Sequence, residues 1–262
     1  MIPQYYLSGR WILILIPIAT LGFVCWELAW GINGYAAPEL SNSQTLSELY
    51  KQATTSPVRT NEDKRADTSR KPMEFLQFTQ VRPGMRVLDI ATGNGYTTQL
   101  LALVAGSTGT VWAQGDQQKP AFIKRLADHP QSNIVPVIRP FEDPIPNNVS
   151  KLDLITNIMN YHNSSYMSVA RRVRLNQRLF KALKSGGYLI VIDHSTKTGT
   201  DITTAKTFHR IDQAIVLDEI QKAGFRLEQE NNFLRNPSDP RTQAYFDMEI
   251  PTDKFAFRFV KP

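Results

Sequence analysis

The run Arg86–Thr98, Arg-Val-Leu-Asp-Ile-Ala-Thr-Gly-Asn-Gly-Tyr-Thr-Thr, constrains the fold of this chain more than any other stretch. Val87, Leu88 and Ile90 form a short apolar run, the pattern of a strand buried within a parallel sheet. Asp89 interrupts that run, and Gly93 and Gly95 follow within a few residues. Thr97–Val104 then reads as a helix packing back on the sheet. Strand, glycine turn and helix in succession is how an open α/β sheet receives a nucleotide-like ligand. The glycines let a ligand approach the backbone because no Cβ blocks it. Thr98 occupies the third position of a Gly-x-Gly-x-x-Gly fingerprint, so the turn alone does not name the ligand.

The first forty residues are set aside before the fold is counted. Trp11–Trp30 is 20 residues long and carries one charge, Glu27, with Arg10 before it and Gly34-Tyr35-Ala36-Ala37 after it. The pattern predicts a signal peptide cleaved after Ala36 or Ala37, or an uncleaved anchor, since ~20 apolar residues can span a bilayer. Either reading puts the rest of the chain outside the cytoplasm, periplasmic or membrane-anchored, by the charge asymmetry about the segment. Val24 before Cys25 argues against a lipoprotein. Cys25 is the one cysteine of the 262 residues, so the remainder has no disulfide, cysteine nucleophile or cysteine zinc site. Removing residues 1–36 deletes Arg10 and Glu27 and leaves the net charge at +6. No arginine-rich run or aromatic-interleaved basic stripe accompanies that charge. It reads as solvated surface rather than a nucleic-acid footprint.

Residues 37–71 read as a cap: a short amphipathic helix over Leu46–Ala53, then the polar Thr54–Arg70 as a loop or mobile cap. Within the latter, 61–67 is dense enough in charge to form a solvated helix. From Pro72 the chain alternates strands and helices. Helices are predicted from Pro72 in its first turn, over Ala121–Asp128, over Val169–Leu183 with Val173 on its apolar side, and over Ile215–Ala223. Arg171-Arg172-Val173-Arg174 reads as a solvated face. Strands are predicted at Gly109–Gln114, Asn133–Ile138, Leu152–Asn157, Tyr188–His194, from Phe225, and at the alternating Phe255–Val260. Gly186 and Gly187 fit a helix C-cap.

Asp-x-Ala-Thr-Gly-x-Gly, with Arg-Pro-Gly-Met-Arg-Val-Leu-Asp leading into it, resembles motif I of the class I S-adenosylmethionine-dependent methyltransferases. Leu-Lys-x-Gly-Gly before the fifth strand, and Ala-Gly-Phe opening the sixth, are similar to the same family. The resemblance covers roughly residues 72–260. Gly-Tyr-Thr-Thr after motif I, Asp-His ending strand five and Phe-His-Arg-Ile-Asp at 208–212 resemble a bacterial group of predicted methyltransferases with N-terminal signal sequences. The likeness implies an α/β, Rossmann-like seven-stranded sheet, mostly parallel with the last strand antiparallel and helices on both faces, in a domain spanning 72–262. It implies S-adenosylmethionine as cofactor, held at Asp89, Ala91, Gly93 and Gly95 and at Asn157 after strand four. Ribose is expected near Gln114 or Asp116, where the usual acidic residue at the end of strand two is replaced by glutamine. Adenine is expected at Glu142 or Asp143.

Methyl transfer needs donor and acceptor held in line and, for a protonated acceptor, removal of a proton. His162 follows strand four, His194 follows strand five beside Asp193, and His209 lies beyond the next loop, three residues before Asp212. His194 is expected as base or substrate contact, with His162, His209 and Asp193 supporting it. His129 is expected at the surface. A metal held by the three histidines and an aspartate fits their chemistry, but no His-x-x-x-His spacing supports it. The expected function is methylation of a small-molecule oxygen or nitrogen. The competing class is an exported protein of the same fold that binds a ligand, metal or partner without transferring a methyl group. No Asn/Asp-Pro-Pro-aromatic run follows strand four, so a nucleic-acid acceptor is not expected.

Overall fold

The strand predicted at the head of the glycine turn, β1 (Arg86–Ile90), lies at the middle of a seven-stranded sheet in a computed structural model that describes residues 42–262. The segment read as a signal peptide or anchor, with Cys25, lies outside the described residues. In chain order the regular elements are α1 (Asn42–Thr55), α2 (Asn61–Arg70), α3 (Pro72–Thr79), β1, α4 (Tyr96–Ala105), β2 (Thr110–Gly115), α5 (Pro120–Asp128), β3 (Ile134–Ile138) and β4 (Leu152–Ile158). They continue with α6 (Val169–Ala182), β5 (Leu183–His194), α7 (Ala205–Phe208), α8 (Gln213–Lys222), β6 (Arg226–Asn231) and β7 (Lys254–Val260).

The strands run in the order β3-β2-β1-β4-β5-β7-β6. The first five strands pair parallel, and β7 slots antiparallel between β5 and β6. The chain winds outward from β1 in one direction and then from β4 in the other. A crevice opens at the carboxyl ends of these two strands, the switch point at which such sheets bind ligands.

Alternate residues of each strand fill two cores. Val87, Val111, Leu154 and Ile190 face α1, α3 and α4, whereas Leu88, Ile155, Leu189 and Val191 face α6 and α8. Each such side chain contributes roughly 1.5–3 kcal/mol by leaving water. Phe255, Phe257 and Phe259 of β7 join the second core. On the opposite face of β7, Arg258 is buried between the rings of Phe78 and Tyr188 and donates to Phe78 O (2.6 Å).

Several expectations need correction. The helix expected within the polar segment before Pro72 forms, but it is not solvated all round: α2 opens with a capping box between Thr60 and Asp63 and packs down by its acidic face. Asp63 is buried against Arg125 (2.6 Å), and Asp67 pairs with the buried Arg59 (2.5 Å). On α6 the buried face holds Arg172 and Asn176 with Leu175 and Leu179, while Val173 is exposed. Arg172 turns inward because Glu219 of α8 receives its Nε at 2.6 Å. Gly186 and Gly187 do not cap α6, which ends at Ala182; Leu183 is already extended and paired with Leu152. Gly186 instead takes φ +75° inside β5, and a Cβ on Gly187 would come within 3.0 Å of Leu152 O. Among the described residues no helix is long and apolar enough to cross a membrane.

Candidate functional site

β1 delivers the chain to the crevice through three left-handed residues, Ala91 (φ +56°), Gly93 (φ +58°) and Gly95 (φ +86°). Ala91 pays for a conformation that a Cβ disfavours, and its N–H is held by Gln114 Oε1 (3.0 Å). Asp89, just upstream, is buried. Its Oδ2 accepts from Thr98 Oγ1 (2.5 Å) and its Oδ1 from Thr156 Oγ1 (2.7 Å), which ties β1 to α4 and β4. Burial pushes its pKa up to about 6 despite these two bonds. Thr98, at the position of the missing third glycine, is therefore the partner of the motif's acid.

Two cavities meet at this turn, and Ala91 and Gly93 line both. A Cβ on Gly93 would find nothing closer than Ala91 O at 3.8 Å, so the space before this glycine is open. The larger cavity, 590 Å³, also receives Asp89, Arg70 of α2, His194, Tyr245 and Lys254. The smaller, 410 Å³, is formed with Gly115, Asp116, Phe141 and Asn160. One wall of the larger cavity is made by α2: Arg125 reaches Asp63, Gln99 and Asn94 O, while Tyr96 donates to Asp67 Oδ1 (2.7 Å) beneath Arg70.

The expected cofactor contacts divide. Asp89, Ala91 and Gly93 line the larger cavity, and Asp116 lines the smaller with an exposed carboxylate. Gln114 reaches the smaller cavity, but its amide is committed: Oε1 to Ala91 N and Nε2 to Arg139 O (2.6 Å). It braces the turn in place of the ribose. Gly95 faces protein, since a Cβ there would meet Phe122 at 2.7 Å. Glu142 and Asp143 line neither cavity and are ion-paired, Glu142 with Arg171 and Asp143 with Arg139 and Arg178. Asn157 is buried at the end of β4, where its Oδ1 accepts from Asn160 Nδ2 (3.3 Å).

The three histidines do converge. The ring centroid of His162 lies 5.3 Å from that of His209 and 6.4 Å from that of His194. Asp193 is fully buried and binds the backbone N–H and Nδ1 of His162, both at 2.8 Å, and the His194 N–H at 2.8 Å. Burial alone would lower the His162 pKa, but Asp193 outweighs it and holds the imidazole above its usual value. Burial likewise opposes ionisation of Asp193, yet His162 and His194 keep it below the ordinary carboxylate range. His194 is the histidine that lines the larger cavity. Its Nδ1 meets Thr252 Oγ1 (2.7 Å), its ring stacks on Tyr245 at 4.3 Å, and burial drives its pKa down to about 3. His209 caps α7 in left-handed conformation, and Asp212 caps α8 through Ala214 N. The two therefore do not share a helical face. His129 is exposed. Among the described residues no three His, Cys, Asp or Glu side chains gather closely enough to hold a metal ion.

The far wall was not legible beforehand. The long connection between β6 and β7 brings Tyr245 and Thr252 over His194 and is pinned by Arg210. This fully buried guanidinium bonds Asp239, Ser195 O and Gln243 O. The Phe-His-Arg-Ile-Asp run thus supplies a ring, an anchor and a cap. Connections this long, with only the single 3₁₀ turn Tyr245–Asp247, are often functional.

A solved structure from Aquifex aeolicus, a SAM-dependent methyltransferase, superposes over 83% of this chain and 98% of its own, with a TM-score of 0.55 at 18% identity. The chain has the fold of the S-adenosylmethionine-dependent methyltransferases. A second structure, a putative methyltransferase from Bacillus halodurans C-125, covers 72% of the chain and 97% of its own at a TM-score of 0.52 and 16% identity. Residues 46–121 match the family Protein-L-isoaspartate(D-aspartate) O-methyltransferase (PCMT). The ubiquinone/menaquinone biosynthesis C-methyltransferase UbiE of Ectopseudomonas mendocina is 30% identical over 122 residues, 46% of this chain and 46% of the relative. The chain thus matches less than half the length of this curated relative.

Proposed function

We propose that this chain transfers a methyl group from S-adenosylmethionine to an oxygen or nitrogen of a small molecule. One observation carries the reading: a single glycine turn stands between two cavities and opens onto both. Such a turn suits an elongated ligand with chemically distinct halves. The amino-acid half fits the larger cavity, where Arg70 can take its carboxylate and Asp89 orders the turn. The nucleoside half fits the smaller, with Asp116 for the ribose hydroxyls and Phe141 for the base. The bound cofactor would supply a methyl group made electrophilic by its sulfonium.

This chain's own work is then to orient the acceptor and exclude water. His194 and Tyr245 form the wall facing the turn. A His194 pKa of about 3 makes this imidazole a poor base, so its part is to hold an acceptor O–H or N–H, with the proton passing to solvent. Thr252 and Tyr245 fix the His194 ring, and Asp193 holds its backbone N–H. The PCMT family is named for O-methylation and UbiE for C-methylation, so the atom methylated is a question for product analysis.

Ligand binding without transfer is the second reading, and Gln114 favours it, because the residue ending β2 braces the turn instead of facing a ribose. Incubation with S-adenosylmethionine and a panel of small phenols, acids and amines, read by mass spectrometry, tests the proposal. Methylated product that falls about tenfold in His194→Gln supports it. Cofactor binding with no product from any acceptor class favours the second reading. The export reading of residues 1–36 belongs to the same proposal, and N-terminal sequencing of the protein from its native host tests it.

A further inference from the structure

Cations and carboxylates are equal in number in the larger cavity but do not pair off with one another. Three carboxylates line it, and each is engaged: Asp63 with Arg125, Glu62 with Arg65 and Asp89 with two threonine hydroxyls. Of the three cations, Arg125 is thereby matched. Arg70 lies 4.8 Å from the Tyr96 ring beside the glycine turn. Lys254 lines the same cavity, at the first residue of β7 and in register with His194.

Lys254 is 5% exposed, and its Nζ donates to Thr252 O at 3.1 Å. An ammonium carries three donors. The carboxylates nearest by charge, Asp239 and Asp253, belong to Arg210, Arg235 and Arg241. His194 on the adjoining strand is held neutral. Burial, then Arg70, draws the Lys254 pKa down to about 8, in keeping with a cation that lacks a dedicated counter-charge. A buried charge is costly unless it is paired. The proposed cofactor brings one carboxylate, which lies within the province of Arg70, and it also brings two positive groups. One carboxylate for two cations leaves room for a second anion beside Lys254.

Building on the methyl-transfer reading, we infer that Lys254 anchors an anionic oxygen of the methyl acceptor, and that the acceptor is a small organic acid with an apolar body. Tyr245, Ile250 and Met159, which share the cavity with Lys254, supply the apolar surface for that body. The anchored oxygen fixes the molecule; the methylated atom is the one that this anchoring presents to the turn.

Calorimetric titration of the full chain, saturated with S-adenosylhomocysteine, with benzoate and with its uncharged counterpart benzamide tests the inference. Benzoate is expected to bind about tenfold or more tightly than benzamide, the worth of a hydrogen bond to a charged group. Lys254→Met is expected to abolish that preference with S-adenosylhomocysteine affinity unchanged, and Lys254→Arg to retain it. Equal binding of the two probes to the wild type, or a preference that survives in Lys254→Met, overturns the inference. Absence of S-adenosylhomocysteine binding would instead strike the methyl-transfer reading on which it rests.

Discussion

Arg210 and Asp239 face one another at 2.7 Å with neither side chain reaching solvent. Asp239 Oδ2 also accepts from Asp253 N at 2.6 Å, so the pair ties the middle of the connection that carries Tyr245 and Thr252 to its end at β7. Removing one member leaves an uncompensated buried charge, at a cost of about 3–5 kcal/mol. Asp239→Asn is therefore expected to lower the urea midpoint more than the paired replacement Arg210→Met/Asp239→Leu. A double variant as damaged as the single one would deny the pair its role.

Asp193 sets the protonation of His162. Because His162 is more basic in the folded protein, its stabilisation is present below the unfolded value of 6.5 and is lost as pH rises through the folded value. Asp193, more acidic when folded, contributes above 3.8 and loses that contribution as pH falls through its folded value. The pair therefore stabilises most between pH 3.8 and 6.5. In Asp193→Asn, burial acts alone on His162, and its imidazole resonances should titrate below 6.5 by NMR; titration unmoved from wild type would contradict the assignment.

Asp89 behaves in the opposite sense to Asp193. Its folded pKa of about 6 lies above its unfolded value of 3.8, so ionising it at neutral pH works against the fold. The penalty is absent below 3.8 and fully developed above about 6, where it amounts to about 3 kcal/mol. Asp89→Asn should gain stability over wild type as pH rises from 4 to 7, read from urea midpoints at each pH, while losing cofactor affinity. A stability difference independent of pH would show that Asp89 pays no such penalty.

The two glycines of the turn separate stability from binding. Gly95→Ala places a Cβ 2.7 Å from the Phe122 ring at φ +86°, a clash worth about 1–3 kcal/mol. Gly93→Ala meets only open space and carries just the left-handed strain of its φ of +58°, about 1–2 kcal/mol. It is expected to lower the melting temperature less than Gly95→Ala and ligand affinity more, and the reverse ranking would misplace the cradle.

What could be read from sequence was what is local in it. The spacing of Asp89, Gly93 and Gly95 located β1 and its turn, the family resemblance carried by that motif implied the sheet, and His194 falls beside the cavity it lines. Long-range pairing was invisible. Asp63 looked like one charge in a solvated run because Arg125, 62 residues away, is what buries it. Glu142 and Asp143 had the composition of a ligand loop, but the arginines of α6 reach across to them. Arg172 was assigned to water because Glu219 lies on another helix. Sequence left the ribose contact open between Gln114 and Asp116, because the turn that engages the Gln114 amide is not visible in it.

The most direct measurement is a calorimetric titration of the full chain with S-adenosylhomocysteine, for wild type and Asp116→Ala. The account predicts saturable micromolar binding by wild type, weakened about tenfold when the carboxylate facing the smaller cavity is removed. A wild-type protein that binds neither S-adenosylhomocysteine nor S-adenosylmethionine would contradict it.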